Sequence, residues 1–159
     1  MRNQGSVTRW GWWINVLDKL HDIAPDGALI LARDRFKMEE MRRVLNQDMI
    51  PYDCFNGSSP WTGRIARELR EGKDPEISPA WQTFFNQAKP HLNEPIKYHL
   101  STIHGAKGRE ADTVIVDLDL PARVLHNLEL DRDAETRVQY VAITRARQAL
   151  HLCGRNPLL

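Results

Sequence analysis

Two stretches of this 159-residue chain concentrate the side chains that could do chemistry. The first, Thr102-Ile103-His104-Gly105-Ala106-Lys107-Gly108-Arg109-Glu110, sets a hydroxyl, an imidazole, two cations and a carboxylate around two glycines. Glycine lets a backbone approach a phosphate or a sugar closely, because no Cβ intervenes. The second, Glu135 to Arg147, carries Arg137, Arg145, Arg147 and Tyr140. A guanidinium is a rigid fork of donors that matches phosphate oxygens. Net charge conceals this pattern: 22 Lys+Arg against 21 Asp+Glu leave +1, too little to coat nucleic acid by bulk charge. Residues 111–135 nevertheless hold seven acids and two arginines, and residues 136–155 hold four arginines and no acid. An anion site in this region fits that division; arginines on a solvated helix face are the plainer account of the same residues.

The elements that hold these stretches follow from periodicity. Ala28-Leu29-Ile30-Leu31-Ala32, bounded by Pro25-Asp26-Gly27, reads as a strand buried on both faces. Asp34 then caps a helix whose Met38, Met41, Val44 and Leu45 form one stripe before Pro51. Tyr98 to Ile103 and Thr113 to Leu118 read as strands joined by the polar loop His104 to Asp112. A helix is expected from about Asp131 to Arg147, with Ala134, Val138, Val141 and Ala142 inward and Tyr140 in the core, before a closing strand Ala149 to Cys153. Apolar runs alternating with helices call for a mostly parallel sheet covered on both faces, a three-layer α/β domain. Ligands in such open sheets gather beyond the carboxyl ends of the strands, where both stretches are expected.

Two regions depart from that rhythm. Trp10, Trp13, Ile14, Leu17 and Leu20 recur at i, i+3, i+4, i+7 and i+10, which predicts an amphipathic helix from about Thr8 to His21. Trp10 and Trp13 fit core or interface packing, whereas Trp12 lies off the stripe, where an aromatic could stack on bases. Residues 58–97, rich in proline and loop residues, read as a short helical insertion. One helix is expected near Thr62 to Glu71 and another from Ser78-Pro79, a cap followed by proline at the first helical position.

Length and composition bound the rest. At 18.4 kDa, 42% hydrophobic and mean hydropathy −0.52, the chain is one domain of ordinary size, residues 1–159, with no apolar run near the ~20 residues of a membrane span. No leader-like stretch opens it, so a cytoplasmic setting and no membrane partner are expected. Cys54 and Cys153 are far apart, without CxxC or suitably spaced histidines, so buried thiols are expected rather than a metal site or a disulfide framework.

Taken together, Thr102-x-His104-x-x-Lys107-Gly108-x-Glu110 and Glu135-x-Arg137-x-x-Tyr140-Val141-x-x-Thr144-Arg145-Ala146 resemble the fifth and sixth motifs of the UvrD/Rep family of superfamily 1 DNA helicases. Ala28 to Arg33, the helix after it and Ile50-Pro51-Tyr52 are similar to the opening of that family's second RecA-like domain. The resemblance spans about 28–57 and 98–153. It implies a RecA-like domain of the P-loop NTPase type. It further implies that Arg145 is the arginine finger reaching ATP on the first motor domain, that Glu110 bonds the ribose, and that Lys107 and Gly108 border the same cleft. Thr102 and His104 match positions that contact single-stranded DNA, and Arg33 is a weaker match of that kind. Arg109 stands where the family has an apolar residue, Ala111 where many members have an aromatic, and 58–97 where they insert a large accessory domain.

Asp117 and Asp119 imitate a magnesium-holding pair, but Gly-x-x-x-x-Gly-Lys-Ser/Thr occurs nowhere, so the chain is not expected to hydrolyse ATP alone. By the resemblance, ATP and Mg2+ would be held mainly by a first RecA-like domain, supplied by another polypeptide or an N-terminal part. The expected partners are that domain and single-stranded DNA. Two other readings stay open: a non-catalytic DNA-binding or helicase-partner module, and a free-standing nucleotide enzyme using the Gly105–Gly108 loop.

Overall fold

A computed structural model describes residues 5–128 and 131–154. Six strands form one sheet: β1 (Ser6–Arg9), β2 (Ala28–Ala32), β3 (Tyr52–Cys54), β4 (Tyr98–Thr102), β5 (Ala111–Asp117) and β6 (Ala146–Cys153). Their order is β1-β6-β5-β2-β4-β3, and each neighbouring pair is parallel. The central strand, β2, is buried along its whole length, as an unbroken apolar run requires when both faces are covered. Among the described residues the helices are α1 (Trp13–Asp18), α2 (Leu20–Ile23), α3 (Arg35–Gln47), α4 (Arg64–Arg70), α5 (Pro79–Ala88), α6 (Ala122–Asn127) and α7 (Arg132–Ile143). None is long and apolar enough to cross a membrane.

Alternation along the strands divides the core into two layers. Ile30, Tyr98, Leu100 and Ile115 point toward one face, where they meet Leu20 of α2, Met38, Met41 and Leu45 of α3, and Trp61, Ala66 and Phe85 of the 58–97 segment. Leu29, Leu31, Val114, Val116, Leu150 and Leu152 point to the other, against Ala142 of α7 and Ile103 and Ala106 of the loop after β4. The three-layer α/β expectation is met. Asp34 caps α3 by accepting from the Lys37 N–H at 3.0 Å, and the helices of the 58–97 segment start near Gly63 and at Ser78-Pro79.

Some expectations are corrected. Thr8 and Arg9 pair with His151 and Leu152 as part of β1, so the first helix begins only at Trp13. Strand pairing captures this stretch because Trp10 continues it, donating its N–H to the Leu152 carbonyl and its indole Nε1–H to His151 Nδ1. Ile14, placed on the apolar stripe, is exposed, and so is Trp12. α7 ends at Ile143 rather than near Arg147, because the Ala111 N–H takes the Arg145 carbonyl at 3.0 Å and draws the chain into β6. Ala134 and Tyr140 are exposed, Tyr140 at 68%, and the buried helix positions include Glu135 and Gln139 instead. Both cysteines are free and buried. Glu129 and Arg155, counted in the charge division, lie outside the described residues.

Candidate nucleotide and nucleic-acid site

The two motif stretches form one continuous surface running from the carboxyl edge of the sheet to its amino edge. The first stretch leaves the carboxyl end of β4 at Thr102 and reaches the amino end of β5 at Glu110. α7 runs the same way. Its first turn holds Arg33, which follows β2 at the carboxyl edge, and its last residues meet Ala111 at the amino edge. From Glu135 to the last helical residue, Ile143, α7 spans about 12 Å at the helical rise, and Arg145 follows it. The expectation that all site residues gather beyond the carboxyl ends is therefore corrected: Glu110 and Arg145 stand at the opposite edge, because the loop and the helix both travel antiparallel to the strands.

At the carboxyl edge, Thr102 is buried, and its Oγ1 accepts from Asn56 Nδ2 at 2.8 Å and from the Gly105 N–H at 3.1 Å. Asn56 Oδ1 in turn accepts from the Thr102 N–H and the Ser101 hydroxyl, both at 3.2 Å. This network fixes the turn that presents His104, whose side chain is exposed. A Cβ at Gly105 would stand 2.7 Å from both Asn56 Cγ and Ser101 Oγ, so only glycine fits the packed turn. Asn56 carries no sequence signal, since its partners Ser101 and Thr102 lie 45 and 46 residues away.

Arg33 is already committed. Its Nε and Nη2 grip the Glu135 carboxylate at 2.9 and 2.8 Å, with Glu135 5% and Arg33 15% exposed. Gln139 Nε2 donates to the same carboxylate at 2.9 Å. The guanidinium expected to contact DNA is thus an anchor that holds the first turn of α7 on the sheet. Glu135 was visible as a motif residue, but its partner is 102 positions away.

Between the edges, Lys107, His104 and Arg137 surround a cleft of about 210 Å³ floored by Ile103, Val138 and Val141. Gly108 adopts φ +78° with nothing within 4 Å of where a Cβ would stand, so backbone conformation alone selects glycine there. Arg109 lays its guanidinium 3.8 Å over the Phe55 ring, which stacks on His99 at 5.2 Å and 8°. The cation thus covers an aromatic at a position where an apolar side chain would otherwise serve. At the amino edge, Glu110 lines a cleft of about 340 Å³ with Lys97, His99, Asp112 and Arg147. Arg145 Nε donates to the Val141 carbonyl at 3.0 Å and Nη2 to Thr144 Oγ1 at 3.3 Å. The finger candidate is folded back over the C-terminal carbonyls of α7, a favourable place for a cation, with Nη1 uncommitted.

Asp117 ends β5 and Asp119 follows it at the carboxyl edge, away from Arg145. Asp117 is fully buried; Oδ1 accepts from the Asp119 N–H at 3.0 Å and Oδ2 has no partner. Burial pushes its carboxyl up to about 6; the hydrogen bond from the Asp119 N–H and the Lys37 charge oppose the rise, and the Asp119 and Glu40 charges add to it. Among the described residues no group of three or more His, Cys, Asp or Glu could hold a metal ion.

Comparison with known proteins points to a family for the stretch that holds both motifs. Residues 81–155 match the UvrD-like helicase C-terminal domain family, a span covering both motif stretches. The structure is similar to that of the C-terminal domain of a possible DNA helicase from Lactobacillus plantarum WCFS1. The TM-score is 0.53 and the identity 18%, over 98% of this chain and 80% of that one. No curated protein matches. A shared three-layer α/β fold and a match over both motif stretches lead to one conclusion: residues 81–155 of this chain are similar to the UvrD-like helicase C-terminal domain.

Proposed function

We propose that this domain is the second motor domain of an ATP-dependent DNA helicase, supplying one wall of an ATP cleft and part of a single-strand DNA track. The observation that carries the reading is the division of the motif surface. Glu110 and Arg145 come together at the amino edge, where the Ala111 N–H bonds the Arg145 carbonyl, while the Thr102–His104 turn stands at the carboxyl edge. One domain can therefore face a nucleotide with one edge and a nucleic-acid strand with the other.

The residues present fit ATP held on a neighbouring domain. Glu110 is an exposed carboxylate able to accept from ribose hydroxyls, and Arg145 has uncommitted N–H donors for a phosphate. Lys107 and Gly108 stand on the loop between the edges. When bound, ATP supplies the phosphoryl-transfer free energy. This chain contributes a preorganised cation, worth on the order of 10³–10⁵ in rate for an arginine finger. To serve, Arg145 must exchange its contacts with Val141 and Thr144 for phosphate oxygens as the domains close. Mg2+ does not fit the residues here, since Asp117 and Asp119 lie at the other edge and, among the described residues, no group of three or more His, Cys, Asp or Glu could hold it.

On the DNA side, the Thr102–Asn56 network holds His104 toward the strand, and Arg33 acts through Glu135 by fixing α7. The test is reconstitution with a first RecA-like domain that carries the phosphate loop. DNA-stimulated ATP hydrolysis is expected from the pair and not from this chain alone. Robust turnover by the pure chain, or none from the pair, refutes the reading.

A further inference from the structure

We infer that His104, Lys107 and Arg137 form a seat for one sugar-phosphate unit of single-stranded DNA, with Arg137 as its phosphate clamp. The inference rests on the DNA-track reading above and gives a role to a residue that reading leaves idle. The cleft they rim, about 210 Å³, lies between the loop after β4 and α7. Among the described residues no carboxylate lines it. Among the described residues, none of the three side chains has a hydrogen-bond or ion-pair partner. Some arginines on this chain are neutralised locally, Arg33 by Glu135, Arg64 by Glu68 and Arg147 by Asp112, whereas Arg137 stands beside a second cation. Two unpaired cations facing one another across a cleft are a standing repulsion, which an anion between them converts to attraction.

The floor narrows the class of anion. Ile103, Val138 and Val141 offer a surface that a deoxyribose ring can cover with its carbon face, whereas a polyphosphate chain has no apolar part to place there. The rim supplies a guanidinium fork and an ammonium for phosphate oxygens. Position points the same way. His104 joins the cleft directly to the Thr102–Asn56 turn at the carboxyl edge, while Glu110 lines a separate cleft at the amino edge. Arg137 and Val141 lie at i and i+4 on one stripe of the α7 surface, and Arg145, just past the end of α7, donates its Nε–H to the Val141 carbonyl. A strand seated at Arg137 would thus press on the helix whose end carries Arg145.

The test is an amide NMR titration of the full ¹⁵N-labelled chain with the oligonucleotide (dT)8, and separately with MgATP. Shifts at Ile103, His104, Lys107, Arg137 and Val138 are expected with (dT)8, and not with MgATP. Arg137→Gln sits at an exposed position with no partner to lose. It should weaken (dT)8 about tenfold and flatten the salt dependence, log K against log salt, by about 0.7. Arg132→Gln, the same charge change on α7 outside the cleft, should cost less than about twofold. Shifts confined to Asn56 and Thr102 overturn the seat and leave the DNA track standing. No shift with (dT)8 anywhere sinks both. Equal losses from the two arginine variants, or seat shifts with MgATP alone, also overturn the seat.

Discussion

Replacing Glu135 by glutamine should test how α7 is held, because the substitution keeps the shape and removes only the charge. The carboxylate takes Arg33 Nε and Nη2 at 2.9 and 2.8 Å and Gln139 Nε2 at 2.9 Å. With Glu135 5% and Arg33 15% exposed, water can replace little of this. Breaking such a pair from one side leaves a buried charge uncompensated and costs about 3–5 kcal/mol. That is a large share of a domain stability of about 5–15 kcal/mol. At about 2–4 °C per kcal/mol for a chain of this size, the melting temperature should fall by about 6–20 °C. Urea unfolding followed by tryptophan fluorescence and far-UV circular dichroism would measure it, with an unchanged m value showing that stability alone has moved. Removing both partners, Arg33→Met with Glu135→Leu, should recover most of the loss, since apolar replacements of similar volume avoid the desolvation cost. A loss below about 1 kcal/mol for Glu135→Gln, or a double variant worse than either single one, would refute the anchor.

Two further predictions concern the carboxyl edge. Asp117 is protonated more readily in the folded chain, at about 6, than at the unfolded value near 3.9. Its contribution to stability is present below pH ~4 and is lost as the pH rises through about 6, an effect on the order of 3 kcal/mol. Asp117→Asn should therefore stabilise the protein at pH 8 and remove this part of the stability profile between pH 4 and 6; a profile identical to wild type contradicts the assignment. Gly105→Ala places a methyl 2.7 Å from Asn56 Cγ and Ser101 Oγ, and overpacking of this kind costs about 1–3 kcal/mol. Denaturant unfolding should show that loss, with the Thr102 amide losing protection from exchange; an unchanged midpoint would mean the turn yields freely.

What could be read in advance depended on how local the cause was. β2 and the core of β5 are buried on both faces, so their apolar runs carry their own signal, and α3 declares itself through Asp34 and its Met38-Met41-Leu45 stripe. β1 does not: all four of its residues are exposed, and only hydrogen bonds to β6 make it a strand. The end of α7 was misplaced because helix periodicity through Arg147 competes with sheet pairing set by Ala111, which no local pattern reports. The motif residues themselves were visible, but their division between the two edges was not. Loop and helix direction decide it, and the contacts that reveal the direction, Arg33 with Glu135 and Ala111 with Arg145, join residues 102 and 34 positions apart. Asn56, which orients Thr102, belongs to no recognisable pattern for the same reason.

The central claim is that Arg145 completes a nucleotide site on another domain, and its two possible roles differ widely in size. As a cap on α7 it contributes a hydrogen bond to Val141, worth about 0.5–1.5 kcal/mol, and a helix-end interaction of about 0.3–1 kcal/mol. As a finger it would lower the barrier by about 4–7 kcal/mol, the equivalent of 10³–10⁵ in rate. The decisive measurement is kcat for DNA-stimulated ATP hydrolysis by the reconstituted pair with Arg145→Ala, alongside (dT)8 affinity and melting temperature. A fall in kcat of about a thousandfold or more, with DNA binding nearly intact and only a small loss of stability, is the predicted result. An unchanged kcat accompanied only by a lower melting temperature would contradict the account and leave Arg145 as a helix cap.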